Sequence, residues 1–493
     1  MPYEEILTKT TGVSTEANQG LDDTQKLNAR NNISAAPVSH TSDTTMHITA
    51  AERNAWNAKA NAPFKPAGKS YLTFSSLNSF TLKVNDATKH WDGTLEYFAS
   101  NKTWTVWDGT TTLSSVDNDG EYVLYLRGTG NTMITGNSEN FRWVLTGFNI
   151  ECIGNIENLL DYAMVEAGNH PTMASYCYGN MFRDCTSLTQ APALPATTLA
   201  VSCYSYMFQD CTNLTQAPAL PATTLATHCY QNMFQDCTNL TQAPALPATT
   251  LADYCYRYMF YGCTSITQAP SLPATMLAPY CYDSMFYNCT SLTKAPILPA
   301  TTLATNCYFG MFSGCIALTK APKLPATTLA NSCYLNMFRD CTSLTQAPAL
   351  PATTFANYCY QYMFYGCTSI KLSSSKTDEY TQEYRIPITG TGTTATNALT
   401  NMFTSTGGTF TGTPKINTTY YLSSDNMVAR ETEIATLNGY VGSMIDGATP
   451  KSVTVTLAAA SWNSAAKTQT VTVTGVSATE TDQIITPIPA MAS

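Results

Sequence analysis

The chain has 493 residues, of which only 12% are charged, and 25 basic against 34 acidic residues give a formal net charge of −9. This length exceeds what one hydrophobic core holds, so we expect several domains or a repeated array. The acidic balance disfavours nucleic acid and anionic membranes as partners. Because no stretch reaches the roughly 18 apolar residues of a membrane span, we expect no membrane insertion.

Residues 1–67 are polar and indicate a connecting segment instead of a compact domain. The start "MPYEEILTKT" carries acidic residues where a secretory signal has a basic region, so we expect no export by the secretory route. His40 and His47 lie in this segment without further ligands around them in the sequence, which disfavours a metal site.

Residues 68–146 predict a β-sandwich. "SYLTF", "FTLKV", "TWTVW" and "EYVLYLRG" alternate apolar with polar residues, and "NDG" and "GTGN" mark turns between them. Aromatic residues in such a domain either bind sugars or pack in the core, and we favour the core for its four tryptophans, Trp91, Trp104, Trp107 and Trp143.

A 26-residue repeat fills residues 174–370, and we expect residues 147–173 to cap its amino-terminal end. One unit reads "LPATTLAxxCYxxMFxxCTSLTxAPx", and a fixed period of this length is the signature of a solenoid. Sixteen of the 17 cysteines follow the period, in eight pairs that begin at Cys177, Cys203, Cys229, Cys255, Cys281, Cys307, Cys333 and Cys359.

The spacing within a unit predicts the shape of one coil. Cys177, Met181 and Cys185 are four residues apart, which favours a short helical or 3₁₀ arm with one apolar face directed inward. The prolines of "LTQAPALP" suit a short extended segment followed by a turn. The expected fold class is mainly β with short helices: an eight-unit solenoid flanked by other modules.

The paired cysteines admit several interpretations. Equivalent residues of stacked coils have parallel Cβ vectors, which is a poor geometry for a disulfide, although bridges within a distorted unit stay open. Zinc needs converging ligands, and only His228 lies in the array. A catalytic thiol would be single and would have a basic partner. We favour buried packing, with cysteine acting as a small hydrophobe.

The residues that vary between units predict a binding face. Tyrosine recurs among Asn, Ser, Gln and Gly, a combination typical of paratopes. Six basic and six acidic residues over 174–370 favour sugars or neutral protein surfaces as ligands. A structural alternative is that the tyrosines only cover an edge of the solenoid. The candidate receptor-binding residues are Tyr206, Tyr254, Tyr258, Tyr261, Tyr280, Tyr287, Tyr358, Tyr362 and Tyr365.

Three aspartates, Asp184, Asp210 and Asp236, share one register in successive units. Such a column could collect calcium, but we favour a solvated surface. We therefore expect no metal and no cofactor. Because no acid and base stand at a spacing typical of hydrolases, we also expect no enzymatic activity.

The period is lost after the eighth unit. In 371–420, "ALTNMFTSTGG" retains Met402 and Phe403 and predicts a carboxy-terminal cap. In 421–447, Ile434, Leu437, Val441 and Met444 predict a short oligomerisation helix. Residues 448–493 alternate strongly and predict a β-module formed between chains.

Two family resemblances follow from these motifs. "YMFYGCTSITQAPSLPATML" resembles the BspA-like leucine-rich repeats of Bacteroidetes surface proteins. "GLDDTQKLNARNNISA" with "HITAAERNAWNAKAN" resembles connector segments of bacteriophage tail-fibre proteins.

Together, the resemblances imply a phage virion protein, assembled in the host cytoplasm, that contacts the host surface through the solenoid. They imply a homotrimer joined to other tail proteins through residues 1–67, and a Bacteroidetes host, for which a crAss-like phage is one candidate. The alternatives are a passive spacer or cap of the virion, a capsule depolymerase, and a bacterial surface adhesin.

Overall fold

The computed structural model describes residues 64–68, 71–136, 141–387 and 395–424, and the chain divides into two compact units, Met1–Lys65 and Pro66–Ser493. All that follows concerns the second unit. Most of the connector predicted at 1–67, the helix predicted from Ile434 to Met444 and the β-module predicted at 448–493 lie outside the described residues.

Two sheets lie at the amino-terminal end of the repeats, and the first of them includes one strand of the first repeat unit, β10. The first has the order β10-β9-β1-β7-β3-β4, with β6 also paired to β7, and the second has the order β5-β2-β8. Their strands are β1 (Leu72–Ser76), β2 (Thr81–Val84), β3 (Thr94–Phe98), β4 (Trp104–Trp107), β5 (Leu113–Ser114), β6 (Val116–Asn118), β7 (Glu121–Thr129), β8 (Trp143–Thr146), β9 (Ile150–Ile153) and β10 (Leu188–Gln190).

The tryptophans of this region pack largely as predicted. Trp91, Trp107 and Trp143 are buried, and the ring of Trp107 lies 5.1 Å from that of Trp91 and 5.6 Å from that of Trp143. Trp104 is half-buried, and the guanidinium of Arg127 lies 4.2 Å from its centroid. The core role is therefore confirmed for three of the four.

One short helix, α1 (Asn158–Glu166), is present in the part of the chain that the structure describes. The helix is kinked at Asp161, whose carboxylate accepts hydrogen bonds from the backbone N–H groups of Ala163 and Met164 at 3.1 and 3.0 Å. Asp161 thus caps the second part of α1, as a side-chain acceptor does at a helix N-terminus.

We number the repeat coils 1 to 8 by their first cysteines, Cys177 to Cys359. The segment between the two cysteines, which we term the arm, has an alternating hydrogen-bond pattern. In coil 1 the N–H of Tyr178 donates to the carbonyl of Cys203 in coil 2 at 2.8 Å. The N–H of Met181, three residues later, donates back to the carbonyl of Tyr178 in its own coil at 3.2 Å. Alternate N–H groups therefore bind the next coil and their own turn, which satisfies the backbone without a helix.

This alternation depends on a left-handed residue at every fourth position. The residues one before, three after and seven after the first cysteine have positive φ in all eight coils, from 51° to 62° where the residue is not glycine. The predicted helical or 3₁₀ arm is therefore wrong. A spacing of four arises here from a repeated turn, not from the 3.6-residue period of an α-helix.

The rest of each coil pairs with its neighbours at single points. Parallel bridges join equivalent residues 26 positions apart, for example Gln190 to Gln216 after the arm and Thr302 to Thr328 before the next arm. The two prolines that follow each of these glutamines, as in "TQAPALP", remove N–H donors and prevent the bridges from extending into long strands.

Side chains inside the coils form ladders. The tyrosine after the first cysteine is fully buried in every coil, and its ring stacks on the next at 5.5 to 5.9 Å. A parallel phenylalanine ladder runs from Phe182 to Phe403 with centroids 5.4 to 5.9 Å apart. Close stacking of identical residues gives each coil an interface only with its neighbours, which is the energetic definition of a solenoid.

All 17 cysteines are buried and free, so the predicted packing role is confirmed. In coils 2 to 8 the second cysteine also donates its thiol hydrogen to the carbonyl of the phenylalanine in the preceding coil, and in coil 1 Cys185 donates to the carbonyl of Trp143. The Sγ of Cys263 lies 3.0 Å from the carbonyl oxygen of Phe234, and that of Cys289 lies 3.1 Å from that of Phe260. Cysteine thus combines a small apolar volume with a weak donor.

Both ends of the array are closed by non-repeating residues that reproduce these contacts. At the first coil, the N–H of Ile134 donates to Cys177 and that of Trp143 to Met181. At the last coil, the N–H groups of Tyr360 and Phe364 donate to the carbonyls of Ala398 and Met402. The strands of the closing sheet, in the order β12-β14-β11-β13, are β11 (Lys371–Ser373), β12 (Tyr380–Arg385), β13 (Gly407–Gly408) and β14 (Thr419–Ser423).

The mainly β class predicted from the sequence is confirmed, in several sheets with one short helix in the described ranges. Within those ranges, no helix has the length and apolar character to cross a membrane.

The cysteines provide a test of this packing. Burial raises the pKa of Cys203, Cys255 and Cys307 to about 12, so these groups stay protonated and unreactive at mildly alkaline pH. We expect an alkylating reagent, without reductant, to label almost none of the native protein and all 17 cysteines after denaturation. Mass spectrometry measures both numbers, and eight unlabelled pairs in the denatured sample would contradict the thiol assignment.

Candidate functional site

One side of the arm is less deeply packed than the other. In each coil the cysteines, the first tyrosine, the methionine and the phenylalanine point inward, and the residues at four other positions line up in columns on the opposite side, where most are half-buried and some, such as Ser205 and Asp283, are buried. We term this surface the arm face. Its columns lie one before and two, three and six after the first cysteine, and they include all nine of the predicted receptor-binding tyrosines.

An aromatic stack crosses three coils of the arm face. The rings of His228 and Tyr254 are parallel with centroids 4.6 Å apart, and those of Tyr254 and Tyr280 are 4.5 Å apart. All three residues are half-buried and occupy the same column in coils 3, 4 and 5. Burial lowers the pKa of His228, and the nearby Arg257 lowers it further, so the imidazole is kept neutral.

A partly buried ion pair lies beside this stack. The Nε of Arg257 donates to Oδ2 of Asp283 at 2.8 Å, and its Nη2 donates to the hydroxyl of Tyr258 at 3.1 Å. The Asp283 side chain is only 4% exposed and also accepts from the Oγ of Ser284 at 2.8 Å. Burial raises the pKa of Asp283, which Ser284 and Arg257 oppose by hydrogen bonding and charge.

The guanidinium of Arg257 is held over tyrosine rings. Its central carbon lies 4.5 Å from the centroid of Tyr258, 5.5 Å from that of Tyr254 and 6.0 Å from that of Tyr280. Cation–π contacts of this length add to the hydrogen bonds that fix the side chain. The arginine therefore joins two columns of tyrosine into one rigid, amphipathic surface.

A second column extends the cluster. Tyr261 meets Tyr258 edge to face at 5.8 Å and stacks on Tyr287 of the next coil at 4.8 Å. We call the residues around Arg257 the central cluster: Tyr254, Arg257, Tyr258, Tyr261, Tyr280, Asp283 and Tyr287.

A smaller group lies in coils 7 and 8. Tyr362 and Tyr365 meet edge to face at 5.8 Å, and the guanidinium of Arg339 lies 4.8 Å from the centroid of Tyr365. Tyr358 occupies the first column of the same coil and is 37% exposed. We call Arg339, Tyr358, Tyr362 and Tyr365 the distal cluster. The remaining predicted residue, Tyr206, is in coil 2, where its hydroxyl accepts from Nε2 of Gln231 at 3.1 Å.

Most of these tyrosines have a backbone conformation that tyrosine disfavours. Among the nine, six have φ between 55° and 60°: Tyr206, Tyr254, Tyr258, Tyr280, Tyr358 and Tyr362. A bulky residue with positive φ is uncommon and is strained by about 1–2 kcal/mol. Sister coils place Asn232, Asn306 or Gly310 in the same two columns with similar φ, so the fold itself does not require tyrosine there.

The aspartate column has a backbone explanation. Its residues lie seven after the first cysteine, at the third left-handed position, where Asp, Asn and Gly are the side chains with the smallest cost. Burial raises the pKa of Asp210, and its neighbours Asp236 and Asp184 raise it further. Within the described ranges, no group of three or more His, Cys, Asp or Glu residues is arranged to hold a metal ion.

A shallow groove of about 470 Å³ lies elsewhere on the coils. It is lined by Ile153, Gly154, the residues 190–195 of coil 1, and residues 216–219 with Pro221 of coil 2. The lining is proline, alanine and glutamine with few polar groups to orient a ligand. The arm face is therefore the stronger candidate for recognition.

The sequence did not assign His228, Arg257 or Asp283 to the candidate binding face. Each is the single residue of its type in its column, so no repeated signal distinguishes it from a solvated side chain. Arg257 and Asp283 have opposite charges and are 26 residues apart, and this is the only indication in the sequence that they pair. The indication can be used only by a reader who knows that a separation of 26 residues means adjacent coils.

Comparison with known families supports the identification of the repeat. Residues 169–292 and 254–383 match the family model for the BspA type leucine rich repeat region, with six copies. The repeat type predicted from the sequence is thus confirmed, and repeats of this type suggest a surface-binding, adhesin-like role. No curated protein and no solved structure gives a significant match to the chain.

Strain at the arm face is testable at Tyr358, which is exposed and has a φ of 60°. We expect Tyr358→Asn to stabilise the fold by about 1 kcal/mol, because asparagine accepts the left-handed conformation more readily. The matched variant Tyr360→Asn, two residues away in the buried ladder, should destabilise by about 3 kcal/mol or more. Thermal unfolding of both variants checks the signs, and a Tyr358→Asn variant less stable than the parent would contradict the strain.

Proposed function

We propose that this protein binds a host-cell surface through the arm face, and that it does so as a bacteriophage tail-fibre or tail-associated virion protein without enzymatic activity. The observation that carries the binding role is the set of left-handed tyrosines. The backbone at these positions favours Asn or Gly, so their presence costs stability and implies selection for what the side chain contacts.

The arrangement of the central cluster supports recognition instead of passive packing. Its rings are held by stacking at 4.5 to 4.8 Å and by the Arg257–Asp283 pair, so little side-chain entropy is left to lose on binding. Rigid aromatic anchors beside a fixed arginine are typical of binding hot spots. Equal numbers of acidic and basic residues over 174–370 suit an uncharged partner.

The virion setting is supported by the resemblance of the amino-terminal segment to tail-fibre connectors. The resemblance of the repeats to Bacteroidetes surface proteins supports a phage of a Bacteroidetes host. In this proposal the amino-terminal segment attaches the protein to the tail, and the eight coils form one rigid solenoid that carries the arm face outward.

Binding is tested by removing the central cluster. The variant Tyr254→Asn, Tyr258→Asn, Tyr261→Ser, Tyr280→Asn uses residues that sister coils already carry in the same columns, so it should fold. Because each buried aromatic contact contributes about 1 to 2 kcal/mol, we expect adsorption to Bacteroidetes cells to fall at least roughly tenfold.

The matched control for this experiment is Leu335→Gln, which removes an apolar side chain from the same face outside both clusters, with circular dichroism as the folding check. If the folded quadruple variant adsorbs like the parent, the tyrosines of the central cluster are decoration and the arm face at this cluster does not carry the binding. If the parent adsorbs to none of a broad panel of such cells, the surface-binding role itself is overturned.

The fibre setting predicts a homotrimer, because the connector and the spacing from Ile434 to Met444 both resemble fibre parts. Light scattering of the full chain should give about three times the 53.4 kDa of one chain at micromolar concentration. A monomer under these conditions would contradict the trimer, and a truncation at residue 424 serves as the control that separates the carboxy-terminal contribution.

A further inference from the structure

We propose that coils 4 and 8 form two equivalent subsites that one neutral polysaccharide chain occupies at the same time. This inference rests on the proposed binding function of the arm face and names its ligand class and valency. It arises from a duplication within the variable columns that the repeat itself does not require.

The two coils share their exposed residues. Residues 254–266 read "YCYRYMFYGCTSI" and residues 358–370 read "YCYQYMFYGCTSI", a single difference at Arg257 and Gln361. None of the other six coils has tyrosine in all three of the columns one before, three after and six after the first cysteine. Coils 6 and 7, which lie between coils 4 and 8, hold only Asn, Gly, Ser and Arg in these three columns.

The shared residues also share a geometry. Tyr258 meets Tyr261 at 5.8 Å and 86°, and Tyr362 meets Tyr365 at 5.8 Å and 73°. The tyrosines one before and three after the first cysteine have φ of 58° and 56° in coil 4 and of 60° and 55° in coil 8. Two tyrosines with a strained backbone and one edge-to-face partner thus recur together in coils 4 and 8. If the sequences of these coils had diverged without a functional constraint, the strained tyrosines would have been replaced first.

The separation of the subsites is set by the array. Neighbouring coils are joined by backbone hydrogen bonds throughout, as from Tyr256 to Cys281 and from Tyr334 to Cys359. Four steps of strand-like spacing place the subsites about 20 Å apart. A single sugar cannot reach both, but an extended polymer with a regular repeat can, and linking two contacts in one molecule multiplies the affinity.

A neutral saccharide is the ligand that the side chains fit. Each subsite combines tyrosines that are half-buried or, at Tyr358, exposed with a planar hydrogen-bond donor, the guanidinium of Arg257 or the amide of Gln361. The hydrocarbon faces and hydroxyls of a hexose complement both kinds of group. The charge of Arg257 is balanced by Asp283 at 2.8 Å. An anionic polymer would find no net positive charge over the eight coils.

The experiment uses the full chain and an array of neutral oligosaccharides and polysaccharides. Two variants each remove one subsite, Tyr254→Asn with Tyr258→Asn, and Tyr358→Asn with Tyr362→Asn. Two further variants delete one 26-residue repeat in register. Deletion of 308–333 shortens the interval between the subsites to three coils, whereas deletion of 178–203 leaves it at four and serves as the matched control.

We expect each single-subsite variant to bind the polysaccharide at least ~10-fold more weakly than the parent. We expect the 308–333 deletion to lose affinity for the polysaccharide by a comparable factor, whereas the 178–203 deletion should keep the affinity of the parent. Oligosaccharides too short to span the interval should bind the parent and both deletion variants equally. Single-subsite variants that retain the parent's polymer affinity, or deletion variants of equal affinity, would overturn the two-site arrangement while leaving the binding function intact. Failure of the parent to bind any glycan on the array would overturn the ligand class, and adsorption to cells then decides the proposed function separately.

Discussion

The structure of the repeats depends on one backbone constraint, a left-handed residue at every fourth position of the arm. Each such residue turns the chain so that alternate N–H groups point along the array and the others close a turn within their own coil. The donors of the arm are thereby satisfied without a helix and without a continuous strand. Stacking, burial and the outer columns all follow from this local geometry, because it decides which side chains face inward.

The same constraint explains the composition of the repeat. Positions that require positive φ carry Asn, Asp, Gly or Ser in most coils, since these residues lose least in that conformation. Each inward-pointing residue lies directly above the equivalent residue of the next coil. Suitable side chains are therefore those that stack on an identical neighbour and those small enough to fit beside such a stack. Tyrosine and phenylalanine rings stack at less than 6 Å, and cysteine fills the narrow space beside them while its thiol donates to a carbonyl of the preceding coil.

Against this scaffold, the left-handed tyrosines are exceptions that need a cause outside the fold. They occupy positions where the backbone would be more relaxed with asparagine, and five of the seven lie in coils 4, 5 and 8, the other two being Tyr176 and Tyr206 in coils 1 and 2. Natural proteins accept local strain mainly where function uses the strained side chain. The partly buried Arg257–Asp283 pair points the same way, because an isolated ion pair in a protein seldom contributes net stability but does fix the groups around it.

The sequence by itself determined the period, the repeat type and the burial of the cysteines, because strict spacing of identical residues admits few architectures. It also separated scaffold from variable columns, since the eight copies can be compared with one another. Only the tertiary structure decided the form of the arm. A spacing of four between Cys177, Met181 and Cys185 fits both a helix and a chain of left-handed turns, and the choice depends on hydrogen bonds to the next coil that local propensity does not contain. The contacts of His228, Arg257 and Asp283 were hidden for the same reason: these residues come from three different coils, and their contacts exist only once the coils are stacked.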